Sequence, residues 1–463
     1  MTAQTDGTYD LVILGAGSGG YACALRARQL GLTVALVEED KVGGTCLHRG
    51  CIPTKALLHS AEIAEAARHG SRLGLRTSFD GVDVASLHAY KDKVVGQLFK
   101  GLTGLVRQSG AEVVEGRGRL VDASTVEVGE GGDARRLVGR TVVLATGSAP
   151  RTLPGIEIGP RVMTSDEVLR IEEIPGRVAV LGGGVIGVEL ASVMAGLGAQ
   201  VTVVEALDRL VAAEEPSISK VVERTFKKRG ITALTGARVA GVDTTGSGAT
   251  VRLESGDPIE VDLVIVAVGR GPRSEGIGLE EAGVATERGF VTTDERLRTS
   301  VEGVRAVGDL VPGLQLAHRG FGHGIFVAED VAGLSPAPVL DVQIPRVTYC
   351  DPEIASVGMT AEQAHAAGHE VESVQYPLGG NGRSIIRGTT GSITVVREQD
   401  GPVLGVHMVG IGVSELVGEA QLMVGWEAHP EEVASLVHAH PTQGEALGEA
   451  AMLAAGRPLH AHA

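Results

Sequence analysis

The sequence predicts an α/β protein with two doubly wound βαβ units and a C-terminal α+β domain. Three observations predict it. An apolar run leading into a glycine cluster occurs twice. In each copy a helical stretch and a second apolar run follow, ending on a Glu. After the Pro-rich stretch Leu334–Pro345 the texture changes to mixed strands and amphipathic helices. At 463 residues the chain exceeds what one hydrophobic core supports, so two to four domains are expected.

In the first copy Leu11–Leu14 leads into Gly15-Ala16-Gly17-Ser18-Gly19-Gly20, then a helix, then Thr33–Val37 as a strand ending at Glu38. In the second, Val178–Leu181 leads into Gly182-Gly183-Gly184-Val185-Ile186-Gly187, then a helix, then Gln200–Val204 ending at Glu205. Glu38 follows Gly15 by 23 positions, and Glu205 follows Gly182 by 23. A lone GxGxxG is weak. Strand, glycine turn, helix, strand and terminal carboxylate together form the Rossmann-like dinucleotide fingerprint. The glycines allow a tight turn and close approach, the helix N-terminus faces a pyrophosphate, and the carboxylate takes ribose hydroxyls. The region 54–108 reads as helical, and strand-and-turn sequence then runs to Thr141–Ala145 and Thr146-Gly147. Gly308-Asp309 ends another apolar run. These features set expected boundaries of 1–150, 151–273, 274–340 and 341–463.

A net charge of −16 and 3% aromatic residues lack the basic footprint and stacking residues that nucleic acid requires. The N-terminus has no cationic stretch or apolar h-region, and the longest apolar runs, such as Val261–Val268, fall well short of a membrane span. A cytoplasmic protein is expected. The 67 glycines show neither a collagen period nor a low-complexity run.

Of four cysteines, Cys46 and Cys51 form a close pair in Gly43-Gly44-Thr45-Cys46-Leu47-His48-Arg49-Gly50-Cys51-Ile52-Pro53-Thr54-Lys55. Two cysteines separated by four residues can close a small disulfide ring. A helix beginning near Pro53 is expected to favour the thiolate, the species that attacks disulfides. Zinc is the competing reading, but no second Cys or Cys/His pair of suitable spacing completes a site, so no metal is expected.

Through these motifs the chain resembles the pyridine nucleotide-disulfide oxidoreductases, and within them the members that oxidise dihydrolipoamide. GGTCLHRGCIPTKAL (43–57) carries the resemblance, with ATGSAP (145–150), GGGVIGVEL (182–190), VGRGP (268–272) and VGDLVPGLQLAH (307–318). YCDPEIASVG (349–358), LGVHMVG (404–410), SEL (414–416) and HAHPTQGE (438–445) extend it to the C-terminus. The resemblance implies FAD on the first fingerprint, through Gly15, Gly17, Gly20 and Glu38. Asp309 is then expected on the ribitol, and Leu316, Ala317 and His318 against the flavin. It implies NAD on the second fingerprint, through Gly182, Gly184, Gly187 and Glu205, with Gly269 nearby. Gly44, Thr45, Thr146 and Gly147 are expected as further cofactor contacts. The carboxylate of Glu205 repels a 2′-phosphate, which favours NAD over NADP.

The resemblance further implies Cys51 as the charge-transfer thiol against the flavin and Cys46 as the interchange thiol that meets the lipoyl sulfur. Lys55 is expected beside the flavin, paired with Glu189. Taken singly, either residue reads as a solvated helix charge. His440, oriented by Glu445, is expected as the acid/base for the disulfide of the other subunit of a homodimer. His407 and His438 read as structural, and His460 and His462 as accidental. The implied reaction oxidises dihydrolipoamide, borne by a lipoyl-bearing acyltransferase or carrier protein, and reduces NAD+. In this scheme 1–150 and 274–340 form the FAD-binding part, 151–273 binds NAD, and 341–463 is the dimerisation domain.

Two departures stand out: His323-Gly324 where an acidic residue commonly precedes the Gly, and Gln443-Gly444 in place of Leu-Ser. Glutathione reductases select NADP through basic residues, against Glu205. Mercuric reductases need a cysteine pair near the C-terminus, where the last cysteine here is Cys350. A soluble transhydrogenase lacks the redox pair. A related disulfide or quinone reductase, or a structural subunit of a 2-oxoacid dehydrogenase complex, remains as an alternative.

Overall fold

A computed structural model describes residues 5–129, 131 and 134–461; His462 lies outside the described residues. The chain divides into two compact units. The first comprises Met1–Ala56, His88–Arg151 and Arg270–Asp341; the second comprises Leu57–Leu87, Thr152–Gly269 and Val342–Ala463.

The first unit is built on a seven-stranded sheet. Glu112–Glu115, Val34–Glu38, Thr5–Leu14 and Arg135–Leu144 lie side by side in parallel, and Val304–Ala306 pairs in parallel with the end of Arg135–Leu144. Thr125–Val128 and Gly118–Asp122 continue one edge antiparallel. The first apolar run belongs to a longer strand than expected, Thr5–Leu14. Leu11–Leu14 and Val34–Val37 are buried at every position, the mark of strands covered on both faces. Helices Ser18–Gln29 and Ala317–Val331 pack together closely: a Cβ at Gly324 would stand 2.2 Å from the Gly19 carbonyl oxygen and 2.8 Å from the Cys23 nitrogen. Gly324, the residue after the His323 departure, is thus a helix-crossing point that admits no side chain. A two-stranded ribbon, Ser148–Pro150 with Arg270–Pro272, joins the place where the chain leaves this unit to the place where it returns.

In the second unit a five-stranded parallel sheet runs Thr232–Leu234, Gln200–Val204, Arg177–Leu181, Leu263–Val266 and Val162–Thr164. Val178–Leu181 and helix Val185–Leu197 are almost wholly buried. A three-stranded antiparallel sheet (Val239–Thr244, Ala249–Leu253, Ile259–Val261) accompanies it. The C-terminal part is a five-stranded antiparallel sheet ordered Arg346–Thr348, Ile354–Gly358, Val403–Val409, Ser392–Glu398 and Val371–Pro377. Helices Val417–Gly425 and Glu445–Ala454 share its hydrophobic core, which gives the expected α+β texture. No described helix is long and apolar enough to cross a membrane.

Candidate active site

The two fingerprints fold into the same local geometry. Gly15 and Gly182 have φ of +102° and +109°, and a Cβ there would stand 2.5 Å from the Ala145 oxygen and 2.4 Å from the Ala267 oxygen. The third glycines, Gly20 and Gly187, are excluded from bearing a side chain by the carbonyl oxygens of Gly15 and Gly182, 1.8 and 1.9 Å from such a Cβ. The middle glycines differ. A Cβ on Gly17 would meet only the Gly44 Cα, at 4.0 Å, and one on Gly184 would meet nothing within 4 Å. No protein atom demands a glycine there, which is the condition for a ligand to approach the backbone.

The helices that follow have glycine N-caps, no capping side chain and no acidic residue in the first turn. Their first N–H groups suit an anion such as a pyrophosphate. Glu38 accepts the Ala16 N–H at 2.7 Å and the Asp40 N–H at 2.9 Å. Glu205 accepts the Gly183 N–H at 2.6 Å and the Leu207 N–H at 2.7 Å. Each carboxylate oxygen keeps a lone pair for a ribose hydroxyl, and neither group can donate to a phosphate. The residues therefore fit one dinucleotide in each unit.

Cys46 lies in the short helix Gly44–Arg49, and Cys51 is the first residue of the helix Cys51–His69. The expected helix thus starts two residues before Pro53, and only Cys51 stands at the N-terminus of a long helix. Both sulfurs are free thiols, and their side chains are hydrogen-bonded to each other. That bond, then burial and the charge of Cys51, push the Cys46 thiol far above its ordinary range; Lys55 opposes the shift and Asp309 adds to it. Cys51 stands at the head of its helix, where the dipole favours an anion on that sulfur. Gly44 (φ +59°) packs on Gly17, where a Cβ would come within 2.7 Å of the Gly17 Cα, so Thr45 and Cys46 follow directly from the first fingerprint. Tyr21, on the first fingerprint helix, is raised to about 12 by burial and by the charges of Cys46 and Cys51.

Asp309 sits in a one-turn helix, Gly308–Leu310, just after the strand Val304–Ala306. Its Oδ2 accepts the Ser148 hydroxyl at 2.6 Å. Thr146 donates its hydroxyl to the Arg273 carbonyl at 2.7 Å, and Gly147 has φ of +71°. Leu316 caps the helix whose first residues are Ala317 and His318. In the second unit, Gly269 has φ of +104° and leaves open space where a side chain would stand. Glu189 is buried on its helix and accepts the Tyr349 N–H at 2.9 Å.

His440 Nδ1 lies 2.8 Å from Glu445 Oε1, at the start of the helix Glu445–Ala454. With Nδ1 directed at a carboxylate, Nε2 is the nitrogen able to take a proton. The imidazole is 69% exposed and Glu445 16%. The second departure, Gln443, anchors this loop by donating to Ser384 Oγ (3.1 Å) and the Ile411 carbonyl (3.0 Å), and Asn381 donates to the Thr442 carbonyl at 3.0 Å. His407 and His438 have protein partners, the Met359 carbonyl at 2.9 Å and Glu419 at 2.8 Å, which suits structural roles. His460, expected to be accidental, is tied to the buried Glu449 by Nδ1 at 2.8 Å and by its backbone N–H at 3.1 Å. Sequence reasoning also passed over Ser148, Arg270, Asn381 and Gln443 as holders of site residues. Among the described residues, no group of three or more His, Cys, Asp or Glu is placed to hold a metal ion.

Residues 9–324 match the family described as pyridine nucleotide-disulphide oxidoreductase, and 344–451 match its dimerisation domain. A dihydrolipoyl dehydrogenase of Bacillus subtilis (strain 168) is 40% identical over 98% of this chain and 99% of its own. One from Geobacillus stearothermophilus is 37% identical over 97% of both chains. Among solved structures, LpdA from Mycobacterium tuberculosis superposes with a TM-score of 0.90 at 26% identity, covering 96% of this chain and 99% of that one. The Cu(II) complex of the HOCl-induced flavoprotein disulfide reductase RclA from Escherichia coli gives 0.87 at 26% identity, covering 97% and 100%.

Proposed function

The chain belongs to the pyridine nucleotide-disulphide oxidoreductase family, and from that premise we infer that it is a dihydrolipoyl dehydrogenase using FAD and NAD. The net reaction is dihydrolipoamide + NAD+ → lipoamide + NADH + H+. The observation that carries this reading is the hydrogen-bonded pair of free thiols Cys46 and Cys51, with Cys51 at the head of a long helix, in the same unit as the first fingerprint.

In the oxidised enzyme Cys46 and Cys51 are joined. A lipoyl thiolate attacks Cys46 Sγ, the Cys46–Cys51 bond breaks, and Cys51 leaves as thiolate at the head of its helix. The second lipoyl sulfur then attacks the mixed disulfide, closes the lipoamide ring and releases Cys46. His440 Nε2 takes the proton from the attacking thiol, and Glu445 stabilises the resulting imidazolium. Lys55 balances the negative charge at the thiols. When bound, FAD and then NAD+ would accept the two electrons released as the dithiol closes to the disulfide. Glu38 and Glu205 would hold the ribose hydroxyls of bound FAD and NAD, and Asp309 would hold the ribitol. The assembly is a homodimer, and its lipoyl groups arrive on an acyltransferase or carrier protein in the cytoplasm.

The test is NADH formation from dihydrolipoamide by the purified yellow protein. Cys46→Ser and Cys51→Ser should each lower turnover by roughly a thousandfold or more while flavin stays bound. Near-normal turnover by both variants would remove the disulfide from the mechanism.

A further inference from the structure

The ribbon at the junction of the first unit's segments carries more than backbone pairing. Ser148 is buried, and its hydroxyl donates to Asp309 Oδ2 at 2.6 Å. Arg270, in the facing strand, donates to that hydroxyl oxygen through Nε at 2.8 Å and to the Ser148 carbonyl through Nη2 at 2.8 Å. A serine hydroxyl has one proton to give. With the guanidinium donating into its oxygen, that proton is committed to the carboxylate. A bond from a charged donor polarises the hydroxyl and strengthens the next bond in the chain. The two strands are in register with Arg270 opposite Pro150 and Pro272 opposite Ser148, so the guanidinium spans the ribbon to reach its target.

The effect falls on Asp309. Oδ2 is pinned by the Ser148 hydroxyl, which restrains the carboxylate, and Oδ1 is left for a ligand hydroxyl. We propose that Ser148 and Arg270 are positioning residues for the flavin: they hold Asp309 in the orientation that grips the ribityl chain. The proposal rests on the FAD reading of the first unit and adds to it the pair that sets the grip. Because Arg270 stands where the chain returns to the unit, the flavin anchor is complete only when the segments on either side of the Thr152–Gly269 insertion are joined.

The experiment is a double-mutant cycle on the holoenzyme, reading the rate of flavin release by the rise in flavin fluorescence on dilution. Ser148→Ala should release flavin about tenfold faster, and Asp309→Asn at least as much, the loss of one charge-assisted hydrogen bond in each case. If Ser148 acts through Asp309, the double variant should match Asp309→Asn alone to within about threefold. Ser148→Thr keeps the hydroxyl and should restore the wild-type rate, which a loss of packing would not predict. If Ser148→Ala does not fold, Arg270→Met takes its place in the cycle with the same expectation. Multiplying effects, or no rescue by threonine, overturn the relay. No change on Asp309→Asn instead overturns the assignment of the ribityl site, whatever Ser148 does.

Discussion

Glu205 is used twice by the fold. It secures the glycine loop through the Gly183 N–H and the turn after its own strand through the Leu207 N–H, and it still presents lone pairs outward. Glu38 repeats the arrangement on Ala16 and Asp40. A carboxylate so held is a fixed acceptor, favourable to two ribose hydroxyls and repulsive to a 2′-phosphate. Glu205→Ala should therefore lower kcat/KM for NAD by about tenfold and change the value for NADP far less, narrowing the preference. Steady-state kinetics with both cofactors checks this; an unchanged ratio would contradict the role given to Glu205. Residues of this kind were legible in the sequence because loop, helix and carboxylate occupy one stretch of chain. Ser148 was not legible as Asp309's holder, since they lie 161 positions apart and Arg270 lies 122 from Ser148. Only the sheet brings them together.

The helix Ala317–Val331 shows what a departure from a family pattern can mean for an element. His323 is buried on it, and its Nδ1 accepts the Gly308 N–H at 3.2 Å, next to Asp309. Arg319, one turn earlier on the same helix, donates to the Gly308 carbonyl at 3.3 Å and to Asp341 at 2.6 Å. Burial, and then the charge of Arg319, lower His323 to about 4, with Asp341 opposing. A neutral imidazole is what the contact needs, since a protonated Nδ1 cannot accept. Between pH 6.5 and about 4 the unfolded chain binds a proton here that the folded chain refuses. Stability from this site is thus fully present above 6.5 and lost as the pH falls through that window. His323→Gln retains an acceptor and removes the titration. Thermal unfolding measured from neutral pH to about pH 4 should show the wild type losing more stability than the variant; parallel curves would leave His323 without this role. The redox helix begins near Pro53, as expected, with its first residue two positions earlier. Pro53 suggested the first turn, but Pro suits any position in it, and the chain already turns helical at Cys51.

At the scale of the molecule, the interleaving of segments was only partly visible. The two fingerprints and the change of texture after Leu334–Pro345 marked the nucleotide units and the C-terminal domain. The return of residues 270–341 to the first unit rests on long-range pairing that no local pattern encodes, and it was expected, for 274–340, from the family resemblance alone. The exposure of His440 poses the remaining question of assembly. An acid/base works best where water is excluded, yet its imidazole is 69% exposed in the single chain while Glu445 behind it is 16% exposed. A second copy that covers His440 with its own disulfide resolves the mismatch. In that arrangement a monomer never holds a complete site, and a symmetric dimer holds two. Cys46→Ser and His440→Ala are then each inactive alone, but co-refolding them in equal amounts should restore activity. A mixed dimer has one doubly damaged site and one that joins an intact Cys46 to an intact His440. Random pairing makes half the dimers mixed, each with one of two sites working, so roughly a quarter of wild-type activity should return. Native mass measurement establishes that the mixed dimers formed. If they form and no activity returns, His440 serves the disulfide of its own chain or stands outside catalysis.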